Sequence, residues 1–328
     1  MEVLIMNHEQ VVQSLPMSLC IETMAEALEC LAKGEAYMPV RMTIRPPATS
    51  SLMALMPAYR SGPRTVYGLK TICLFPSNAA IGKDIHQGSV QLLSGENGEL
   101  LAVVNAAAVT AIRTAAVSGV ATRLLAREDA KNLAVIGAGR QGRTHLAAIA
   151  AVRSLKRVRV ADCVFAQTQK FVAEMSPQYD FPIEAAPNVE AAVRNADIVV
   201  TITTSTEPVI RREWISDGAH LNIIGASQPN AREVDGATVA ASKLFVDRRE
   251  STLKESGDYL LALQEGAIGP DHIRGEIGDL LLGSIRGRTS GRDITMFKAL
   301  GLAIEDVAAA QFLYEQAKQK RNGTWVDF

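Results

Sequence analysis

Hydrophobic residues follow two different spacings along the chain, and the change falls near residue 106. Before it, short apolar runs alternate with polar turns, which is typical of an α+β region. The pattern predicts strands near 3–6, 40–46, 51–58 and 66–75, and helices near 8–15 and 18–33. The runs SVQLLSG and ELLAVVN flank Asn97-Gly98, a pair that favours the positive φ angles of a type I′ turn, and so predict a hairpin.

After a predicted Ala-rich helix near 106–127, helical and strand patterns alternate. The strand segments LAVIG, RVRVA, DIVVTIT, HLNIIGA and KLFVD are rich in Val and Ile, which indicates burial on both faces of a sheet. This alternation predicts an α/β fold with a central, Rossmann-type, doubly wound parallel sheet. The segment 303–320 has apolar residues at helical spacing and is predicted to return to the first domain. We therefore predict one α+β domain from 1–115 and 303–328, and a second domain from 116–302.

A glycine triplet follows the first strand of the second domain. Residues 133–142 read LAVIGAGRQG, so an apolar strand runs into Gly137, Gly139 and Gly142. Such a triplet allows a tight turn, lets the backbone approach a pyrophosphate and lets a helix pack closely on the strand. The next strand, RVRVA, ends at Asp162, where a carboxylate can accept hydrogen bonds from an adenosine ribose. These features together predict a bound dinucleotide; the alternative is a glycine-rich turn without a ligand.

Asp162 also bears on the kind of dinucleotide. A carboxylate at this place hydrogen-bonds a ribose 2′-hydroxyl and repels a 2′-phosphate. The next residues are Cys163, Val164 and Phe165, none of which is a cation. We therefore expect NAD(H) to be preferred over NADP(H).

Composition and charge narrow the class of protein. The 328 residues are 48% apolar and 21% charged with a net charge of −1, which gives no electrostatic basis for binding nucleic acid or an anionic membrane. The four cysteines have no metal-ligand spacing, so we expect free thiols in a reducing cytoplasm and no metal site; they are Cys20, Cys30, Cys73 and Cys163. No secretion signal or apolar run of about 18 residues is found, and a membrane protein is not expected.

Three cations lie among apolar or small residues, where an unpaired charge is costly. They are Arg41 in MPVR, Lys70 in GLKT and Arg113 in TAIRTAA. Arg can bind a carboxylate through two parallel hydrogen bonds, and a desolvated Lys can reach a pKa useful for proton transfer. An anionic ligand is one interpretation; the other is that each cation pairs with a protein carboxylate or extends to solvent.

Two further sets of side chains are candidates. Thr201, Thr203 and Thr204 lie at the end of the strand segment DIVVTIT and directly after it, where hydroxyls can line the nicotinamide ribose; β-propensity and helix capping explain them equally well. His86 is either a donor in an active site or an ordinary loop histidine.

The chain resembles the ornithine cyclodeaminase and mu-crystallin family over nearly its whole length. The resemblance rests on MPVR, LMPAY, GLKT, IHQGSV, TAIRTAAVS, GAGRQG, ADIVVTITTSTEP, GAHLNIIGASQP, LKESGD and ITMFKALG. The blocks IHQGSV, GASQP and LKESGD are more similar to mu-crystallin than to ornithine cyclodeaminase. The family's fold joins a dimer-forming, substrate-binding domain, built from both chain ends, to a central Rossmann domain. The resemblance therefore implies a homodimer and a nicotinamide cofactor.

The resemblance also implies roles for single residues. Arg41, Lys70 and Arg113 would hold the α-carboxylate of an amino or imino acid beside the nicotinamide. Ser227 and Ala54 stand where ornithine cyclodeaminase has acidic residues, which argues against cyclodeamination. Ser227 and His86 are assigned to the substrate pocket. Arg45 joins that pocket, because it or His86 could meet the second carboxylate of a dicarboxylic imine.

The remaining cofactor assignments are Arg140 and Gln141, within the glycine motif, and Thr110. The expected activity is NADH-linked reduction of a small 2-imino or cyclic ketimine carboxylate to the L-amino acid, with Lys70 as proton donor. Alternatives are alanine dehydrogenase-type deamination, reduction of an iminosuccinate-type dicarboxylic imine, ornithine cyclodeamination, and a non-catalytic protein that binds nucleotide and a small acid.

Overall fold

A computed structural model describes residues 2–62 and 65–328. Its strands are β1 (Glu2–Met6), β2 (Ala36–Tyr37), β3 (Met42–Ile44), β4 (Leu52–Arg60), β5 (Val66–Leu74), β6 (His86–Ser94), β7 (Leu100–Asn105), β8 (Asn132–Ile136), β9 (Arg157–Ala161), β10 (Ile183–Ala185), β11 (Ile198–Thr201), β12 (His220–Ile223), β13 (Ser242–Val246), β14 (Ile273–Glu276), β15 (Ile294–Lys298) and β16 (Thr324–Asp327). Its α-helices are α1 (His8–Ser14), α2 (Met17–Ala32), α3 (Ala106–Leu125), α4 (Arg140–Val152), α5 (Phe165–Met175), α6 (Val189–Val193), α7 (Gly236–Ala241), α8 (Arg249–Glu255), α9 (Gly257–Gln264), α10 (Ile277–Leu281) and α11 (Ala303–Lys320).

The chain divides into two compact units. The first combines the residues up to Ala116 with Gly301–Phe328, and the second is Val117–Leu300. Both boundaries fall close to those predicted from the sequence, after 115 and after 302. The roles given to the two domains, substrate binding with dimerisation and dinucleotide binding, stay predictions at this point.

The first unit is built on a mixed sheet with the strand order β16-β1-β7-β6-β5-β4-β2, and β3 pairs with β4. Strands β4, β5, β6 and β7 are successively antiparallel, whereas β1 and β7 run parallel. Helix α11 packs on α2 and on strands β4 to β6. Residues alternate along β5 between buried and partly exposed positions, which places Lys70 on the buried face with Val66 and Ile72.

The second unit is an eight-stranded sheet with the order β10-β9-β8-β11-β12-β15-β13-β14, and every neighbouring pair is parallel. Strand β11 is buried at all four positions, as its unbroken apolar sequence predicts. From β8 the chain first adds strands on one side, and from β11 it adds them on the other. The predicted doubly wound sheet is therefore confirmed, and its topological switch point lies between β8 and β11.

One local prediction is wrong. Strands β6 and β7 form the expected hairpin, but its turn is not type I′, because Gly98 has a φ of +77° while Asn97 keeps a negative φ. The Gly98 amide donates to the Ser94 carbonyl, and the Ser94 amide donates to the Glu99 carbonyl, so the loop is longer than two residues. A loop of this length needs one left-handed residue rather than two, and glycine supplies it.

None of the helices within 2–62 and 65–328 is both long enough and apolar enough to cross a membrane.

Candidate active site

The glycine triplet lies at the switch point of the second unit's sheet. Gly137 has a φ of +109°, and a Cβ there would lie 2.5 Å from the Ile202 carbonyl oxygen that follows β11. A Cβ on Gly142 would lie 2.4 Å from the Gly137 carbonyl oxygen, so α4 could not pack as it does. Gly139, by contrast, has no atom within 4 Å of a Cβ position. Two glycines are thus required by packing, and the third leaves open space at the start of a helix.

The start of α4 suits an anionic group. Gly139 is the N-cap and provides no side-chain hydrogen bond to the first turn, whose amide groups point out of the helix end. Arg140 in that turn is exposed. The side-chain oxygen of Gln141 is buried and has no hydrogen-bond partner in the described part of the chain. These features fit a dinucleotide pyrophosphate above Gly139.

Asp162 directly follows β9 and lies beside the loop that carries the glycine triplet. Its Oδ2 accepts a hydrogen bond from the Ala138 amide at 2.8 Å, and its Oδ1 accepts one from the Val164 amide at 2.9 Å. The carboxylate therefore holds the glycine loop and its own turn. Each carboxylate oxygen has about two lone pairs, and Oδ1 also accepts from Cys163 Sγ, so Oδ2 is the oxygen that can still accept from a ribose hydroxyl.

Thr201, the last residue of β11, and Thr203 contact a buried acid rather than open space. Thr201 Oγ1 donates to Glu233 Oε2 at 2.9 Å, and Thr203 donates to Glu233 Oε1 from its amide at 2.7 Å and its hydroxyl at 2.8 Å. Thr204 is exposed. The cofactor roles of these threonines stay predictions, and for Thr201 and Thr203 the structure gives a different use of the hydroxyl.

Glu233 belongs to a buried charged network at the carboxyl ends of three strands. Its Oε2 also accepts from the Gly225 amide at 2.6 Å, and burial raises the pKa of the Glu233 carboxyl. Lys298, at the end of β15, lies 2.9 Å from Asp258 Oδ2 and donates to the Ala226 carbonyl at 2.5 Å. Asp258 Oδ1 in turn accepts from the Glu233 amide at 2.8 Å. The network ties together the loops after β11 and β12, and the second of these carries Ser227.

In the first unit, two of the predicted cations meet at one carboxylate. Lys70 Nζ, from β5, lies 2.9 Å from Asp306 Oδ1, and Arg113 Nε, from α3, lies 2.9 Å from the same oxygen. Arg113 Nη1 also donates to Glu305 Oε2 at 2.6 Å. Both acids lie in the first turn of α11. Pairing with protein carboxylates, one of the two interpretations left open by the sequence, therefore holds for Lys70 and Arg113.

The Lys70 ammonium sits in an environment that opposes its charge. The side chain is only 1% exposed, and burial lowers its pKa from 10.5 to about 8. Asp306 acts against this shift, whereas the positive charges of Arg113 and Arg41 add to it. Burial is thus the largest cause of the shift.

Arg41 completes the group from the segment before β3. Its Nη2 lies 3.5 Å from the Gly301 carbonyl oxygen, and the residue is half-buried. Gly301 has a φ of +80°, and a Cβ on it would lie 2.7 Å from Arg113 Nη1. A residue other than glycine at this position would therefore displace the Arg113 guanidinium. We call Arg41, Lys70, Arg113, Glu305 and Asp306 the charged cluster.

Within the first unit, the other predicted site residues are not part of the charged cluster. His86, on β6, pairs with Leu74 at the end of β5. Leu74 is about 13 Å from Lys70 along the strand, at ~3.3 Å per residue. The His86 ring lies 3.8 Å from Asp84 Oδ1. Arg45 is exposed. Thr110 is buried on α3 and donates to the Ala106 carbonyl one turn earlier. Ser227 is an exposed residue of the second unit.

Sequence reasoning missed two acids of the charged cluster and one lysine of the buried network around Glu233. Glu305 and Asp306 interrupt the apolar run ALGLAIEDVAAA, and Lys298 interrupts ITMFKALG. The argument applied to Arg41 and Lys70, that a charge among apolar residues needs a partner, would have selected these residues as well. Within the described ranges, no group of three or more His, Cys, Asp or Glu side chains is arranged to hold a metal ion.

A doubly wound parallel sheet with a glycine triplet at its switch point and an acid after its second strand defines a dinucleotide-binding fold. The chain belongs to the ornithine cyclodeaminase/mu-crystallin family, whose sequence profile matches residues 1–321. The resemblance found in the sequence is thereby confirmed.

Relatives of known name support this placement. A protein of Mus musculus named ketimine reductase mu-crystallin is 35% identical over 301 residues, 91% of this chain and 92% of that protein. The structure of Thermococcus litoralis Δ1-pyrroline-2-carboxylate reductase in complex with NADH and L-proline is similar with a TM-score of 0.95 and 36% identity, covering 98% of this chain and 99% of the other. An archaeal alanine dehydrogenase dimer with bound NAD is similar with a TM-score of 0.93 and 32% identity, covering 100% of both chains.

Proposed function

We propose that the protein is an NAD(H)-dependent oxidoreductase that reduces a small 2-imino acid or cyclic ketimine carboxylate to the L-amino acid. The observation that carries this proposal is the charged cluster, in which buried Lys70 shares Asp306 Oδ1 with Arg113 and has a pKa lowered to about 8. The relatives named for ketimine and pyrroline-2-carboxylate reduction support the same reaction.

The charged cluster can bind a carboxylate and move a proton. Glu305 and Asp306 engage Nη1 and Nε of Arg113 and so fix the plane of its guanidinium. Arg41 is half-buried and is the cation of the charged cluster that is accessible to a ligand. An anionic substrate group bound there relieves the repulsion among the three cations. Bound NADH supplies the hydride for the carbon of the C=N bond. Lys70 Nζ donates a proton to the substrate nitrogen and becomes a neutral amine.

The rates of the forward and reverse reactions should respond oppositely to pH. Imine reduction needs protonated Lys70, so its rate is expected to fall as the pH rises through about 8. Amino-acid oxidation needs neutral Lys70 as proton acceptor, so its rate is expected to rise through the same range. Initial rates in both directions from pH 6 to 10 check this. Two profiles that move in the same direction would show that another group controls proton transfer.

NADH should be preferred over NADPH because of Asp162. We expect Asp162→Asn to raise the ratio of kcat/KM for NADPH to that for NADH by about tenfold or more, since the variant loses the repulsion of a 2′-phosphate. The asparagine keeps one oxygen that can accept from Ala138 or Val164. Glu184→Gln, a charge loss on the neighbouring strand β10, is the control and should leave the ratio unchanged. An unchanged ratio in Asp162→Asn would remove Asp162 from cofactor selection.

The homodimer is proposed to form on the sheet face opposite α11. Residues Leu55, Pro57, Tyr59, Tyr67 and Leu69 of β4 and β5 are the half-buried or exposed members of an alternating pattern, and all have apolar or aromatic side chains. The rings of Tyr59 and Tyr67 pack 5.0 Å apart on this face. A contiguous apolar face of this kind is typical of an interaction surface, and a related alanine dehydrogenase is a dimer.

Tyr67→Asp is expected to convert the dimer to a monomer near 35.2 kDa, because a charge would be buried in the apolar interface. Tyr67 is 52% exposed, and Val12 on α1, 50% exposed, offers a matched control as Val12→Asp. Sedimentation velocity measures both masses. The interface would lie elsewhere if the Tyr67→Asp variant stays a dimer, or if Val12→Asp dissociates the dimer as well.

The reaction itself is tested by following NADH absorbance with a panel of acceptors. The panel contains Δ1-pyrroline-2-carboxylate, a six-membered cyclic ketimine carboxylate, pyruvate with ammonia or methylamine, and oxaloacetate with ammonia. Preference for a cyclic ketimine supports the proposal, and preference for pyruvate with ammonia points to an alanine dehydrogenase. Oxaloacetate with ammonia reports reduction of a dicarboxylic imine. Tight NADH binding without turnover of any acceptor would indicate a binding protein.

A further inference from the structure

The two adjacent acids of the charged cluster, at the start of α11, have different partners within it. Asp306 is completely buried, and its Oδ1 lies 2.9 Å from both Lys70 Nζ and Arg113 Nε. Glu305 contacts Arg113 Nη1 and accepts a hydrogen bond from the Leu302 amide at 3.2 Å. The ion pair of Lys70 is with Asp306. Asp306 is therefore the acid that links the lysine of β5 to the arginine of α3.

The charges around Lys70 come from three elements. Asp306 on α11 favours the ammonium form, whereas Arg113 on α3 and Arg41 before β3 oppose it. Cys20 on α2 lies near Arg113 and Glu305, but burial raises the pKa of its thiol to about 12, so it stays neutral. Asp306 is thus the group that compensates for burial and for two neighbouring cations.

We propose that Asp306 is a positioning residue that keeps Lys70 protonated and oriented for proton donation while it holds Arg113 in place for the substrate carboxylate. This inference rests on the proposed function. In the reductive direction the proton passes from Lys70 Nζ to the substrate nitrogen, hydride from NADH passes to the adjacent carbon, and NAD⁺ and neutral Lys70 remain. Asp306 takes no part in the transfer itself; its Oδ1, 2.9 Å from Lys70 Nζ, stabilises the lysine charge before the proton leaves.

Asp306→Asn separates this role from simple folding. Asp306 Oδ1 accepts both hydrogen bonds, whereas Oδ2 is buried and has no hydrogen-bond partner in the ranges that the structure describes. The asparagine can therefore keep its oxygen toward Lys70 and Arg113. Its amide nitrogen then takes the position of Oδ2, where it breaks no hydrogen bond. The substitution removes the negative charge and changes little else in shape.

In Asp306→Asn, the pH above which imine reduction declines is expected to fall by about one unit or more, because the opposite charge beside Lys70 is lost. Glu305→Gln is the matched control: it loosens Arg113, so KM should rise, but the pH of the decline should stay at the wild-type value. Asp306→Glu retains the charge and should restore the wild-type pH profile. A wild-type profile in Asp306→Asn, or an equal shift in Glu305→Gln, would overturn the inference.

A second measurement does not depend on turnover. In protein labelled with ¹³C-lysine, the resonance that is missing from Lys70→Met reports the titration of Lys70 directly. We expect this titration to move to lower pH in Asp306→Asn and to stay in place in Glu305→Gln. If the wild type reduces no imine, the proposed function fails while this titration still decides the role of Asp306. If the wild type is active and neither the titration nor the pH profile moves, the inference alone fails.

Discussion

Lys70→Met is expected to lower the turnover number for imine reduction by about 10²–10⁴-fold, the usual contribution of a positioned proton donor. Methionine has nearly the same length and can occupy the buried space, but it carries no proton to donate. Asp306 keeps Arg113 as a partner, so the substitution does not leave an isolated buried charge. The loss should therefore appear in kcat rather than in folding.

The measurement compares steady-state reduction with NADH binding followed by nicotinamide fluorescence. The affinity for NADH should be nearly unchanged, because the glycine motif and Asp162 belong to the second unit. Lys33→Met serves as the control, since Lys33 is an exposed lysine of the first unit paired with Glu29. Full turnover in Lys70→Met would exclude Lys70 as the proton donor and leave only a role in carboxylate binding.

Much of the fold followed from local patterns. The helix expected at 303–320 is α11 without a change in its bounds, because its apolar spacing is unbroken and Gly301 precedes it. The parallel sheet followed from strands without polar alternation, such as β11. The glycine motif follows the first strand of the parallel sheet as predicted, and two of its glycines, Gly137 and Gly142, meet a steric requirement that other residues cannot meet.

The charged cluster could be predicted only in part. Lys70 and Arg113 stood out as cations among apolar residues, but their partner Asp306 lies 236 and 193 positions away along the chain. Spacing contains no information on such contacts, because they depend on how α11 packs against the sheet. The same limit applies to Thr201 and Thr203, whose shared partner Glu233 follows β12 rather than β11. Threonines at a strand end indicate that their hydroxyls have a hydrogen-bond partner, but the sequence does not indicate which residue that partner is.

Lys298→Met is expected to lower the free energy of unfolding by about 3–5 kcal/mol, because it removes one member of a buried ion pair. Lys298 and Asp258 are each 1% exposed and lie 2.9 Å apart. Without the lysine, the Asp258 carboxylate stays buried beside Glu233, a second acid whose pKa burial already raises. The Ala226 carbonyl also loses its hydrogen-bond donor.

Urea unfolding at neutral pH, followed by circular dichroism, measures this loss. Lys254→Met is the control, because Lys254 pairs with Glu250 on the exposed surface of α8. This variant should unfold at the wild-type urea concentration. Replacing both members, as Lys298→Met with Asp258→Leu, removes the buried charge together with its partner. The double variant should therefore be more stable than Lys298→Met alone. If it is less stable, the hydrogen bonds that the Glu233 and Val234 amides donate to Asp258 Oδ1, rather than the ion pair, hold the loops after β11 and β12 together.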